Sequence, residues 1–174
     1  MMGYKINSNL LSKWRGMRKR CGPKPHHSSY LGCEIDLRFM AFEDFQQWAV
    51  RQIGHDQNWE LDKDVLVRGN RIYGPDTCVF IPQALNTILL RSKKSNRTLP
   101  VGVQRDRNPN KYRAVVSCND KLVHLGTFES VGQAFTAYKT KKEEIIRELA
   151  TKWRDSIDPR VFDALMAYSI EITD

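Results

Sequence analysis

With 174 residues, 41% of them hydrophobic, the chain carries enough apolar side chain to bury a core in one domain or in each of two small ones, which excludes a wholly disordered protein. No run of about 18 apolar residues occurs, and the opening MMGYKINSNLLSKWRGMRKR lacks the apolar centre of a secretory signal, so a soluble, intracellular protein is expected, with no membrane partner. Cys21, Cys33, Cys78 and Cys118 are then expected as reduced thiols rather than a disulfide framework.

The net charge of +8 is zoned. Residues 1–24 hold seven Lys or Arg and no acid, residues 33–64 hold eight acids against three basic residues, and residues 91–121 hold nine basic residues against two acids. Two basic zones separated by an acidic one suit a polyanion held at two places, and nucleic acid is the expected polyanion. Neither basic zone has the Trp, Phe and Leu face that an interfacial membrane helix needs. The acidic zone between 33 and 64 offers a surface for a protein partner.

In chain order, the basic segment with Arg15, Arg18, Lys19 and Arg20 comes first, as a clamp for a nucleic-acid backbone. Phe42, Phe45, Trp48, Ala49 and Ile53 then recur at helical spacing, predicting a helix near 41–53. WELDKDVLVRGNRIYGPDTCVFIP follows, with two apolar runs around Gly69-Asn70, the chemistry of a hairpin turn. Pro82 then opens a helix with Leu85, Ile88 and Leu89 on one face, giving the order helix, strand, strand, helix for an N-terminal domain over 1–90.

RSKKSNRTLP, residues 91–100, is polar, basic and closed by proline, and is expected to be a linker. Beyond it, VGVQR, YRAVVSC and LVHLG read as three short strands joined by the turn-rich DRNPNK and NDK. Ser130 with Gln133 forms a capping-box pair, and Val131, Ala134, Phe135, Tyr138, Ile145, Leu149 and Trp153 form one long apolar stripe. The expected fold is thus α+β: a helix plus a ββα domain, then over 101–154 a three-stranded antiparallel sheet packed on one long helix. A last helix capped by Asp158 and a tail occupy 155–174.

Strand alternation sorts the sheet. Tyr112, Ala114 and Val116 are expected to face the helix, leaving Arg113, Val115 and Ser117 on the free face with Gln104 and His124. Arg105, Arg107 and Lys111 lie in or beside the first turn, where they suit phosphates of duplex DNA while the strand side chains meet base edges.

GVQRDRNPNKYRAVVSCNDKLVHLGTFESVGQAFTAYKTKK resembles the APETALA2-type DNA-binding domain. Its landmarks stand here as Gly102-Val103, Lys111-Tyr112, Leu125-Gly126-Thr127-Phe128 and Ala134 to Ala137-Tyr138. The resemblance implies a DNA-reading sheet, with Gly126 turning the third strand into the helix behind it. Where the plant relatives place arginines and a tryptophan on the reading face, this chain has Gln104, Val115, Ser117 and His124, so fewer base contacts and weak or shape-biased specificity are expected.

Together with that module, LDKDVLVRGNRIYGPDTCVFIPQALN resembles the divergent HNH-like segment of small phage and mobile-element proteins. The resemblance implies an endonuclease or nickase site. Asp62, Asp64 and Asn86 would hold a Mg or Mn ion, Asn70 would orient the site, and His55 is the nearest histidine. The strand has Asp62-Lys63-Asp64 where the family pattern has Asp-His or His-His. Either a distant histidine or another base serves, or the chain is a catalytically inactive, nuclease-derived regulator or an inhibitor of a host DNA-acting system. Plain structural roles for Asp62, Asp64, Asn70 and Asn86 also stand open. Zinc held by Cys21, Cys33 and Cys78 with His26 or His27 is disfavoured, because no Cys-x-x-Cys knuckle occurs. If phage-encoded, the protein works in the host cytoplasm.

Overall fold

The computed structural model describes residues 6–25, 27–89, 98–118 and 121–173, in which helices and small sheets give a mixed α+β architecture. The chain divides into one unit of Met1–Thr87 with Trp153–Ala164 and another of Ile88–Lys152 with Leu165–Asp174. Most of the basic stretch expected as a linker, residues 91–97, lies outside the described residues, as do His26 and the Asn119-Asp120 pair of the expected second turn. Among the described residues no helix is long and apolar enough to cross a membrane.

The first unit opens on a helix the sequence reading passed over. Helix α1, Ser8–Arg20, starts where the Asn7 side chain accepts the N–H groups of Asn9 and Leu10 at 3.1 and 3.2 Å, satisfying two donors that the first turn leaves open. It buries Leu10 and Met17 completely, while Trp14 donates its indole N–H to the Phe39 carbonyl at 2.8 Å. Leu10, Trp14 and Met17 sit at helical spacing, so the signal was present beneath the basic residues.

Helix α2, Phe42–Ala49, is shorter than the expected 41–53. After it the backbone bonds of Arg51 and Gln52 run three residues back, to Trp48 and Ala49, and Ile53 lands 48% exposed rather than on the core face. The core joins Phe39, Phe42 and Phe45 to Leu10, Met17, Leu61, Tyr73 and Phe80, with Phe39 edge-on to Phe45 at 5.2 Å and tilted on Trp48 at 4.7 Å.

The expected hairpin around Gly69-Asn70 is absent. Strand β1, Glu34–Ile35, pairs in parallel with β3, Ile72–Tyr73, whereas β2, Glu60–Asp62, pairs antiparallel with β4, Val79–Ile81. Two polar side chains divert the backbone. Asp62 accepts the N–H groups of Asp64 and Val65, both at 2.8 Å, which ends β2 in an Asx turn. Asn70 then donates to the carbonyls of Lys63 and Ile72 at 2.6 and 2.7 Å, so 63–72 closes as a side-chain-stapled loop with Gly69 at φ +78°. Helix α3, Gln83–Leu89, follows Pro82 as expected. Between α2 and α3 the chain thus carries three short strands, β2, β3 and β4, where two were expected.

The second unit matches its expectation more closely. Strands β5, Val103–Arg105, β6, Tyr112–Cys118, and β7, Lys121–Phe128, form one antiparallel sheet in that order, and helix α4 runs over Val131–Trp153. Ser130 Oγ accepts the Gln133 N–H at 3.2 Å, the hydroxyl half of the capping box. Val103, Ala114 and Val116 pack with Ala134, Phe135, Tyr138 and Ile145 in one core, which Tyr112 and Phe128 flank.

Two details differ from the sequence reading. Gly126, at φ +140°, lies within β7 opposite Ala114 rather than at its end, and the strand continues to Phe128. The tail is also not a loose end. After helix α5, Pro159–Met166, which Asp158 caps by accepting the Arg160 N–H at 2.9 Å, Ile170 enters the core at 5% exposure. Its N–H donates to Glu143 Oε1 at 2.9 Å, and its carbonyl accepts from Lys139 Nζ at 2.6 Å.

Candidate nucleic-acid interface

The register of β6 against β7 decides which side chains share the free face. Ala114 faces Gly126 but Val115 faces His124, so Leu125 is an extra residue, a β-bulge. Without it His124 would point toward the helix. With it, the free face carries Gln104 on β5, Arg113, Val115 and Ser117 on β6, and Leu122, His124 and Thr127 on β7. Thr127 was missed, because alternation read without the bulge puts it on the helix side; Leu122, two residues before His124, follows from plain alternation and was missed as well. Val115 is buried, so it offers no surface of its own; Gln104, Ser117, Leu122, His124 and Thr127 are exposed and Arg113 is half-buried.

Three of the expected DNA contacts, Lys111, Arg113 and Gln104, are already engaged within the unit. Lys111 pairs with Glu129 at 3.0 Å. Arg113 Nε stands 3.6 Å from Asp106 Oδ2, and Arg113 Nη2 donates to Gln104 Oε1 at 3.5 Å. Arg105 and Arg107 are exposed and pair with no acid among the described residues.

In the first unit, Arg15, Arg18 and Lys19 are exposed on α1, with Arg18 stacked on Trp14 at 4.8 Å. Arg20 differs from expectation. Its guanidinium lies over Tyr73 at 5.3 Å and Tyr30 at 5.6 Å with Nε shut away from solvent, so it serves the interior as much as a partner.

Between the two acids expected as metal ligands stands Lys63, which pairs with one of them. Lys63, 8% exposed, donates Nζ to the Asn70 carbonyl at 2.8 Å and to Asp64 Oδ2 at 3.2 Å. Burial, then the Asp64 carboxylate, push the Asp62 carboxyl up to about 6 despite the two backbone N–H groups on its Oδ1. Asn86 sits one turn into α3, and His55 lies in the turn after α2 with Nδ1 2.9 Å from the Gln52 carbonyl; no hydrogen bond among the described residues ties either to the Asp62 cluster. No group of three or more His, Cys, Asp and Glu stands in a metal-holding arrangement among the described residues. Burial also pushes the Cys21 thiol up to about 11 and the Cys78 thiol up to about 12, keeping both protonated, and His27 accepts the Ser29 N–H at 3.2 Å.

No family model, no curated protein and no solved structure matches this chain.

Proposed function

We propose that the protein binds duplex DNA through the free face of the β5–β6–β7 sheet. One observation carries this: Gln104, Arg113, Ser117, His124 and Thr127 share a face, with exposed Arg105 at the end of β5 and exposed Arg107 in the turn that follows. Amide, guanidinium, hydroxyl and imidazole groups meet the donors and acceptors of base edges, and the turn arginines meet phosphates. Arg15, Arg18 and Lys19 on α1 supply further backbone contacts. The resemblance to the APETALA2-type domain supports the same use of the sheet.

Because Lys111 is held by Glu129, the phosphate contacts rest mainly on Arg105 and Arg107. In a fluorescence-anisotropy titration with a short duplex over a range of salt, the Arg105→Ala, Arg107→Ala double variant is expected to flatten the plot of log K against log salt by about 1.8, two phosphates' worth. Adding Lys111→Ala should change it little further. An unchanged slope in the double variant would take this turn out of the interface.

A second activity, that of a divergent metal-dependent HNH-like endonuclease, is favoured by the antiparallel β2–β4 pair with α3 after it and by Asn70 bracing the loop beside Asp62. The donor set does not fit a divalent ion as it stands. Asp62 Oδ1 already takes two backbone N–H groups, and the Lys63 ammonium occupies Asp64, a fixed cation where a second one would have to enter. We therefore assign the protein to DNA binding without hydrolysis, a regulator or inhibitor. Supercoiled plasmid incubated with it in Mg²⁺ or Mn²⁺ should stay supercoiled while a gel shift shows binding. Nicking abolished by EDTA and by Asp62→Ala with Asp64→Ala would establish the nuclease instead.

A further inference from the structure

Among the described residues Arg113 is the one arginine on the free face, and its guanidinium lies beside the first turn. Asp106 is fixed first. Its Oδ1 accepts the Asn108 N–H at 3.0 Å, its own N–H donates to the Lys111 carbonyl at 3.0 Å, and its side chain is only 21% exposed. The remaining oxygen, Oδ2, stands 3.6 Å from Arg113 Nε, which is closed off from solvent and has no hydrogen-bond partner, so the carboxylate is its nearest electrostatic anchor. On the other side Gln104, the cross-strand neighbour of Arg113, offers Oε1 to Nη2 at 3.5 Å. A long side chain with about 2 kcal/mol of rotamer freedom is therefore confined from both sides before any partner arrives.

An acid beside a surface meant for a polyanion is a cost, since it repels the phosphates that Arg105 and Arg107 attract. A compensating gain exists where the acid aims an arginine. A guanidinium fork held in one plane meets the O6 and N7 acceptors of guanine bidentately, and such a pair discriminates against other bases by a factor of about ten or more.

Resting on the DNA-binding assignment above, we infer that Asp106 is a positioning residue that orients Arg113 to read a guanine, giving up affinity for base discrimination. Lys111 does not share this role, being turned to Glu129.

The test is selection of binding sites from a pool of duplexes with a randomised centre, using the full-length protein, followed by affinity measurement on the selected duplex and on a version with its preferred guanine replaced. The wild type is expected to select a guanine at a fixed position, and Arg113→Ala to lose that preference. Asp106→Ala should lose it by about tenfold in the affinity ratio while binding duplexes overall about threefold more tightly, a pair of opposite changes that mere damage to the turn would not give. Asp106→Asn, whose amide oxygen keeps the Asn108 cap, should melt like the wild type and lose part of the preference. Retention of the full guanine preference in Asp106→Ala or Asp106→Asn overturns the inference, as does a wild type that binds duplex DNA without any guanine preference. A wild type that does not bind duplex DNA at low salt overturns the DNA-binding assignment itself.

Discussion

Replacing Gly102 by alanine is expected to destabilise the sheet-bearing unit by about 2–4 kcal/mol and to abolish DNA binding at temperatures where the wild type still binds. Gly102 has φ +76°, a left-handed conformation that costs an L-residue about 1–2 kcal/mol. A Cβ there would also stand 2.1 Å from two ring carbons of Tyr138, a residue of α4 that is 8% exposed and packed in the core with the sheet residues Val103, Ala114 and Val116. The ring cannot swing outward without opening that core, so strain and overpacking add. The Gly102 carbonyl further accepts the Val115 N–H at 2.8 Å, so a displaced backbone unseats β6, the strand that carries Arg113 and Ser117. Faster amide hydrogen exchange across β6 in the variant checks this. Unchanged protection would mean that the Tyr138 contact is softer than its geometry implies.

Glu143→Ala should cost the same unit about 2–4 kcal/mol, because two kinds of partner lose their counterpart together. The Ile170 N–H, in a nearly buried residue, is left without an acceptor, and Lys139 and Arg147, at 3.2 Å each, lose the carboxylate between them. Both cations are a third or more exposed, which keeps the ion-pair share below that of a fully buried pair. Burial opposes the ionisation of Glu143, but the Ile170 N–H and the two cations outweigh it and hold the carboxyl below its ordinary value of 4.5. A depressed carboxylate contributes stability that is full above its unfolded value and is lost as pH falls through the lower folded one. Denaturant melts from pH 7 down through the acid range should therefore converge for wild type and Glu143→Gln. Parallel curves would show that the latch to Ile170 does not depend on the charge.

How much of this was legible in the sequence follows from the range over which each feature is encoded. The stripe from Ala134 to Ile145, the Ser130 cap and the Asp158-Pro159 start are local patterns, and each gave its element. The pairing of β1 with β3 is parallel, long-range and two residues long, too short for alternation to register, and it displaced the hairpin that Gly69-Asn70 suggested. The buried place of Ile170 depends on a glutamate 27 residues earlier, and nothing near SIEITD announces it. On the candidate interface, the residue types were readable but their company was not. One bulge at Leu125 brings Thr127 onto the face of Arg113, Ser117 and His124, and turn geometry sets Asp106 on Arg113 and Glu129 on Lys111. Asp62 and Asp64 were read as candidate metal ligands and Asn70 as the residue that orients them, yet Asn70 bonds to Lys63, whose ammonium, read as part of a strand, changes what the acids can hold.

The central claim is that the free face of the β5–β6–β7 sheet meets duplex DNA. A titration of isotope-labelled full-length protein with a short duplex at low salt, followed by NMR, tests it most directly. The account predicts that shifts concentrate at Gln104, Arg113, Ser117, His124 and Thr127 and in the Arg105 to Arg107 turn, with the core-facing Ala114 and Val116 moving less. Shifts confined to residues outside this face, or none at all, would contradict it.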